Sequence, residues 1–172
     1  MDERVRVLVV VLGAAALFLG GDARHAAAAD PPAMPAFKVT SPAGATIASA
    51  DLSAFDRWLL VYVTPGSRAS ESLVESLREW KTDDLIERTV ILVGGEREQA
   101  VAMMKTLLIG DLVAVRWYTD KDRGAWKALA LKGVPTLIGV QDARKHWSIS
   151  GSLNNGTQLE SVVRDWVEIR RR

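Results

Sequence analysis

The chain has 172 residues, 48% of them hydrophobic and 25% charged, and its 22 basic and 21 acidic side chains leave a net charge of +1. This is a one-domain length and an ordinary globular composition, which excludes a disordered, collagenous or multi-pass membrane chain and gives no reason to expect a nucleic-acid partner. Without a single cysteine, the chain has no disulfide, no thiol nucleophile and no thiolate zinc site.

The first 29 residues read as an export signal. Arg4 and Arg6 precede an uncharged apolar run over 7–21, shorter than the roughly 20 residues of a membrane span. Ala27 and Ala29 then supply the small-x-small pattern of a cleavage site before Asp30. The alternative is an uncleaved N-terminal anchor, and only that case would bring a membrane into play. Cleavage leaves His146 as the single histidine and does not alter the net charge. Residues 30–36, DPPAMPA, read as a proline-rich linker in which Pro31, Pro32 and Pro35 oppose helix or sheet pairing.

The domain spans 37–172 and alternates strand with helix. The apolar run 58–63, WLLVYV, predicts a strand buried on both faces. Over 67–80 the period becomes helical, with Ala69, Leu73, Val74, Leu77 and Trp80 on one stripe. Residues 89–93, TVILV, predict a second buried strand ended by Gly94 and Gly95. Ala100, Val101, Met103, Met104, Leu107 and Leu108 mark a second helix. A third strand is expected over 112–117, closed by Asp120, and a short helix over 124–131 with Trp126, Leu129 and Ala130 inward.

Two strands follow, at 136–140 and 145–149, joined by a hairpin-length turn. On the second, Lys145, Trp147 and Ile149 alternate with His146 and Ser148, so His146 should face outward. Thr157 and Glu160 have capping-box spacing ahead of a last helix whose stripe is Leu159, Val162, Val163, Trp166 and Val167. Arg170, Arg171 and Arg172 stand where the helix dipole favours cations. The acidic pairs Asp83-Asp84 and Asp120-Asp122 read as solvated caps, and the methionine pair and the six tryptophans as core. The order implies an α/β sandwich, and its hairpin requires a mixed sheet.

Three stretches resemble the thioredoxin-like superfamily, in particular its exported TlpA-like and redoxin branch. Residues 37–52 are similar to the two short leading strands around a glycine turn. Residues 59–70, LLVYVTPGSRAS, align without a gap to the strand and active-site turn that in the family ends Trp-Cys-x-x-Cys. Gly133-Val134-Pro135-Thr136 resembles the loop whose proline is cis and faces that turn. The resemblance covers about 37–170 and implies a three-layer α/β/α sandwich around a mixed sheet.

The departure from the family decides more than the match. Ser67 and Ser70 stand where the family has its cysteines, and Gly66 stands where it has tryptophan. A serine hydroxyl cannot form a mixed disulfide, so thiol–disulfide oxidoreductase activity is excluded by composition. Ser67-Arg68-Ala69-Ser70 then has three readings. In the first, Ser67 caps the helix. In the second, the helix start, Gly66 and Arg68 hold an anion or carboxylate. In the third, a serine acts as nucleophile, which needs a base that an outward His146 does not supply.

The resemblance also implies that the backbone beside Pro135 can take an extended peptide. The candidate binding face is therefore Pro65, Gly66, Ser67, Arg68, Ser70, Val134, Pro135 and Thr136, with no catalytic residue assigned. No cofactor and no metal is expected from one histidine and no cysteine. The leading expectation is an exported, periplasmic or extracellular module with a protein or peptide partner. The alternative is a non-redox enzyme or small-anion-binding protein using Arg68 and the Ser67–Ser70 helix start.

Overall fold

A computed structural model describes residues 30–80, 82–107, 115–151 and 156–168. Seven strands make one mixed sheet in the order β2-β1-β5-β4-β3-β6-β7. They are β1 (Lys38–Thr40), β2 (Thr46–Ala48), β3 (Arg57–Val63), β4 (Thr89–Gly94), β5 (Arg116–Asp120), β6 (Thr136–Gln141) and β7 (Arg144–Ser150). The central strands β3, β4 and β5 are parallel, whereas β6 and β7 on one side and β1 and β2 on the other pair antiparallel. The helices are α1 (Arg68–Glu79), α2 (Asp83–Arg88), α3 (Arg97–Leu107), α4 (Gly124–Ala128) and α5 (Gly156–Val167).

The two-residue period of β3 builds two cores. Leu59, Val61 and Val63 enter one, with α1, α2, α3 and α5. Trp58, Leu60 and Tyr62 enter the other, with α4, Phe37, Val39 and Leu52. The sheet is therefore covered on both faces, as its continuous apolar runs require, and the expected three layers are present. The hairpin turn uses positive φ at Asp142 (50°) and Ala143 (55°), the twist-matched geometry for a two-residue connection.

Several elements differ from the sequence reading. The third strand lies at Arg116–Asp120, later than 112–117, and 108–114 fall outside the described residues. Asp83 and Asp84 are exposed in a first turn, as solvated caps, but the helix they open, α2, is an added element; its N-cap Thr82 accepts from the Leu85 amide at 3.2 Å. Asp120 is not solvated: it is 2% exposed. Ala130 is exposed and has φ +54°, so it ends the short helix and does not pack inward. Val162 points outward at 42% exposure, because Leu159, Val163 and Val167 already fill the face toward the sheet.

The last helix begins at Gly156, and Glu160 accepts from Arg164 Nε at 2.8 Å. Arg170, Arg171 and Arg172 lie outside the described residues, as does the leader.

The proline-rich segment 30–36 is pinned to the domain. Met34 N donates to Ala143 O at 2.7 Å and Lys145 N donates to Pro32 O at 2.8 Å. Arg144 Nη1 donates to Pro31 O at 2.8 Å, and Ala33 bridges Arg144 antiparallel. Proline lacks the N–H but keeps the carbonyl, and the hairpin uses those carbonyls.

Candidate functional site

The candidate residues assemble at the carboxyl ends of β3, β4 and β5. Tyr62, near the end of β3, pairs with Thr136, the first residue of β6. This register sets the turn after Val63 beside the loop 133–135. Gly66 adopts φ +74°, a left-handed conformation that glycine reaches without steric cost, and turns the chain into α1.

The serines are engaged in holding that turn. Ser67 is the N-cap of α1, and its Oγ accepts from the Ser70 amide at 3.3 Å. Ser70 is fully buried, and its Oγ accepts from the Thr64 amide at 3.2 Å. The capping geometry thus uses both hydroxyls as acceptors for backbone donors. Among the described residues no histidine or carboxylate bonds to either serine. His146 stands exposed on β7, its ring 5.6 Å from that of Trp166. Among the described residues no base stands within hydrogen-bond reach of either hydroxyl, as a serine nucleophile would need.

The second loop is fixed from behind. Thr136 Oγ1 donates to Gly133 O at 2.6 Å and lies 2.7 Å from Ser150 Oγ. Gly151 N donates to Pro135 O at 2.9 Å. The Val134–Pro135 peptide is cis. Val134 itself makes no hydrogen bond through its amide or carbonyl among the described residues, and its side chain is half-buried. Gly66 and Arg68 are exposed, and Pro65 and Ser67 are half-buried. Ser70, Pro135 and Thr136 are buried, so these three shape the face from beneath.

One constellation at this end of the sheet was invisible to residue spacing. The Tyr62 hydroxyl donates to Asp120 Oδ2 at 2.9 Å, and both residues are buried. The same carboxylate accepts the Ala125 and Trp126 amides at 3.1 and 3.0 Å, which closes the start of α4. Burial first, and the Asp120 charge second, push the Tyr62 phenol well above its ordinary value. Gly94 lies against the Tyr62 hydroxyl, where any Cβ would collide with it. The signal available in the sequence was the Gly94 break at a strand end and an aspartate before a short helix. Neither names Tyr62, which is 58 residues away in the chain.

No family model and no curated protein matches this chain. Solved structures do. A secreted Mycobacterium tuberculosis disulfide oxidoreductase homologous to E. coli DsbE superposes with a TM-score of 0.60 at 14% identity, over 75% of this chain and 95% of that one. A thiol:disulfide interchange protein of the thioredoxin family from Chlorobium tepidum TLS gives 0.60 at 15% identity, over 81% and 99%. A thiol:disulfide interchange protein from Bacteroides sp. gives 0.63 at 13% identity, over 83% and 92%. The fold is therefore thioredoxin-like, and the chain has no cysteine with which to form a Cys-x-x-Cys pair.

Proposed function

We propose that this chain is an exported, redox-inactive thioredoxin-like module that binds an extended protein or peptide segment. The face is formed by Pro65, Gly66, Ser67, Arg68 and Val134. The observation that carries this reading is the unpaired Val134 backbone beside exposed Gly66 and Arg68. A free amide and carbonyl next to a sheet end are the elements with which an extended segment pairs by strand addition. Gly66 keeps the opposite side low, with nothing within 4 Å of where its Cβ would stand.

Export is supported by the charge, apolar and small-residue order over 1–29, and by a secreted protein among the structural neighbours. The missing thiols remove electron transfer and leave the shape of the groove. Two hydroxyls bound to backbone amides favour this reading over one in which serine reacts.

The test places a photo-crosslinking residue at Arg68 in cells, with a control probe at exposed Val162 on α5, and identifies products by mass spectrometry. The expected result is a discrete partner captured from Arg68 alone, at least about fivefold weakened by Val134→Glu while the melting temperature holds. Equal capture from both positions, capture unaffected by Val134→Glu, or no partner at Arg68 would overturn the assignment of this face.

A further inference from the structure

A concavity lies at the other end of the sheet. β3 begins there at Arg57 and reaches the Ser67 turn at Val63, and β6 runs back to it from Thr136. At roughly 3.3 Å per residue the two regions are about 20 Å apart, so this cleft is separate from the face proposed above. It encloses about 470 Å³, within the range of small-molecule sites.

Its apolar lining includes buried Trp58 and half-buried Met34 and Phe55, with exposed Ala54 beside them. Its charged lining is exclusively acidic: exposed Asp56 and Asp142, with no lysine or arginine. The Asp142 amide donates to the Asp56 carbonyl at 2.8 Å, which ties the two acidic residues together. Among the described residues neither carries an ion pair; Asp142 Oδ2 accepts only from Gln141 Nε2, at 3.3 Å.

The neighbouring cations lie outside the lining and already have partners. Arg57 donates twice to Gln141 Oε1 and lies over the Trp166 ring. Arg88 and Arg116 lie over the Phe55 ring, 4.3 and 6.0 Å from its centroid; Arg88 donates to Arg57 O, and Arg116 donates to Leu52 O and Glu87 O. Arg144 donates to Pro31 O. Met34, from the pinned N-terminal segment, closes one side through its amide bond to Ala143 O.

An apolar cleft with two carboxylates and no cation selects a ligand of opposite charge and apolar body. We propose that this cleft binds a small organic cation, a primary amine carried on an aromatic or short aliphatic body. The body displaces water from Trp58, Phe55 and Met34, and the ammonium donates to Asp56 and Asp142.

The probe is 2-phenylethylamine, titrated into the ¹⁵N-labelled full chain and followed by amide chemical shifts. The controls are the neutral 2-phenylethanol and the anionic 3-phenylpropanoate. The expected result is a set of shifts confined to the amides of Met34, Ala54, Ala143 and their neighbours. The amine should bind about tenfold tighter than the alcohol, since hydrogen bonds to charged groups exceed neutral ones by that order. The anion should not bind. Asp56→Asn with Asp142→Asn should reduce the amine to the level of the alcohol, and Ala54→Phe should abolish binding by filling the cleft. Equal binding of amine and alcohol, shifts scattered over other surfaces, or amine binding unchanged in the double variant would each overturn the proposal. The amine-to-alcohol comparison uses the unaltered protein and so decides the matter even where a variant fails to fold.

Discussion

Replacing Tyr62 with phenylalanine removes one hydroxyl and leaves the ring. The ring keeps its edge-on contact with Trp126, 5.4 Å between centroids, and its place in the second core. What disappears is a buried hydrogen bond of 2.9 Å to the Asp120 carboxylate. Bonds to charged acceptors contribute about 1.5–3 kcal/mol. Asp120 keeps two amide donors, so its charge is not orphaned and the lower half of that range applies, about 1.5–2 kcal/mol. The loss also has a pH signature. The Tyr62 phenol is held above its ordinary 10.0 in the fold, so the unfolded chain releases this proton first. The group therefore stabilises fully below pH about 10, and above it the wild type loses about 1.4 kcal/mol per pH unit from this residue alone. Phenylalanine has no such slope. The deficit of Tyr62→Phe should be full at pH 8, shrink above pH about 10 and vanish between about pH 11 and 12. Urea unfolding followed by tryptophan fluorescence at several pH values measures it, with other ionising groups cancelling in the comparison. A deficit under about 0.5 kcal/mol at pH 8, or one that stays constant to pH 11, would refute the buried pair as the closure of this end of the sheet.

Three further outcomes follow from the same geometry. Ser67→Ala should lower stability by about 1 kcal/mol, the ordinary value of an N-cap, and urea unfolding should show it without any change in fold. Ser67→Cys should place a thiol at the positive end of α1 with its pKa below the usual 8.5 or so, read as the midpoint of its alkylation rate against pH; a midpoint at or above the free-thiol value would contradict an accessible helix start. Gly139→Ala should cost at least about 2 kcal/mol, because its Cβ would collide with the Trp147 indole on the paired strand, and a variant as stable as wild type would disprove that close approach.

The parts of the fold visible in the sequence are those where one residue's chemistry decides its own place. Residues 58–63 and 89–93 are continuously apolar because both faces of the central strands are covered, and that pattern has no competing explanation. The cap at Ser67 and the alternation through β7 are likewise local. The third strand was displaced because the most apolar stretch nearby is 112–115, whereas Arg116, Trp117 and Tyr118 are half-exposed in a strand that β1 meets only at Thr40 and Thr119. The helix at Asp83–Arg88 was missed because only Leu85 in it is buried, so it has almost no periodicity to detect. The attachment of 30–36 escaped because it runs through its backbone groups, the Met34 amide and the proline carbonyls, which carry no side-chain signature. Tyr62 and Asp120 meet only through the register of three strands, a long-range fact that no spacing rule contains.

The same distinction bears on function. Loss of thiol chemistry is legible residue by residue, since no environment gives serine a redox couple. What the serines do in the thiols' place is legible only in three dimensions. The Ser67 hydroxyl accepts the Ser70 amide, the Ser70 hydroxyl accepts the Thr64 amide, and Thr136 locks the facing loop to Gly133 and Ser150. Each polar side chain that the resemblance would place at a reactive centre is occupied in fixing backbone. Among the described residues the Val134 amide and carbonyl make no hydrogen bond within the chain, and Gly66 on the facing turn has open space where its Cβ would stand. Under the proposed reading, recognition runs through main-chain pairing, which tolerates many sequences, and the two serine hydroxyls serve to hold the turn that faces it.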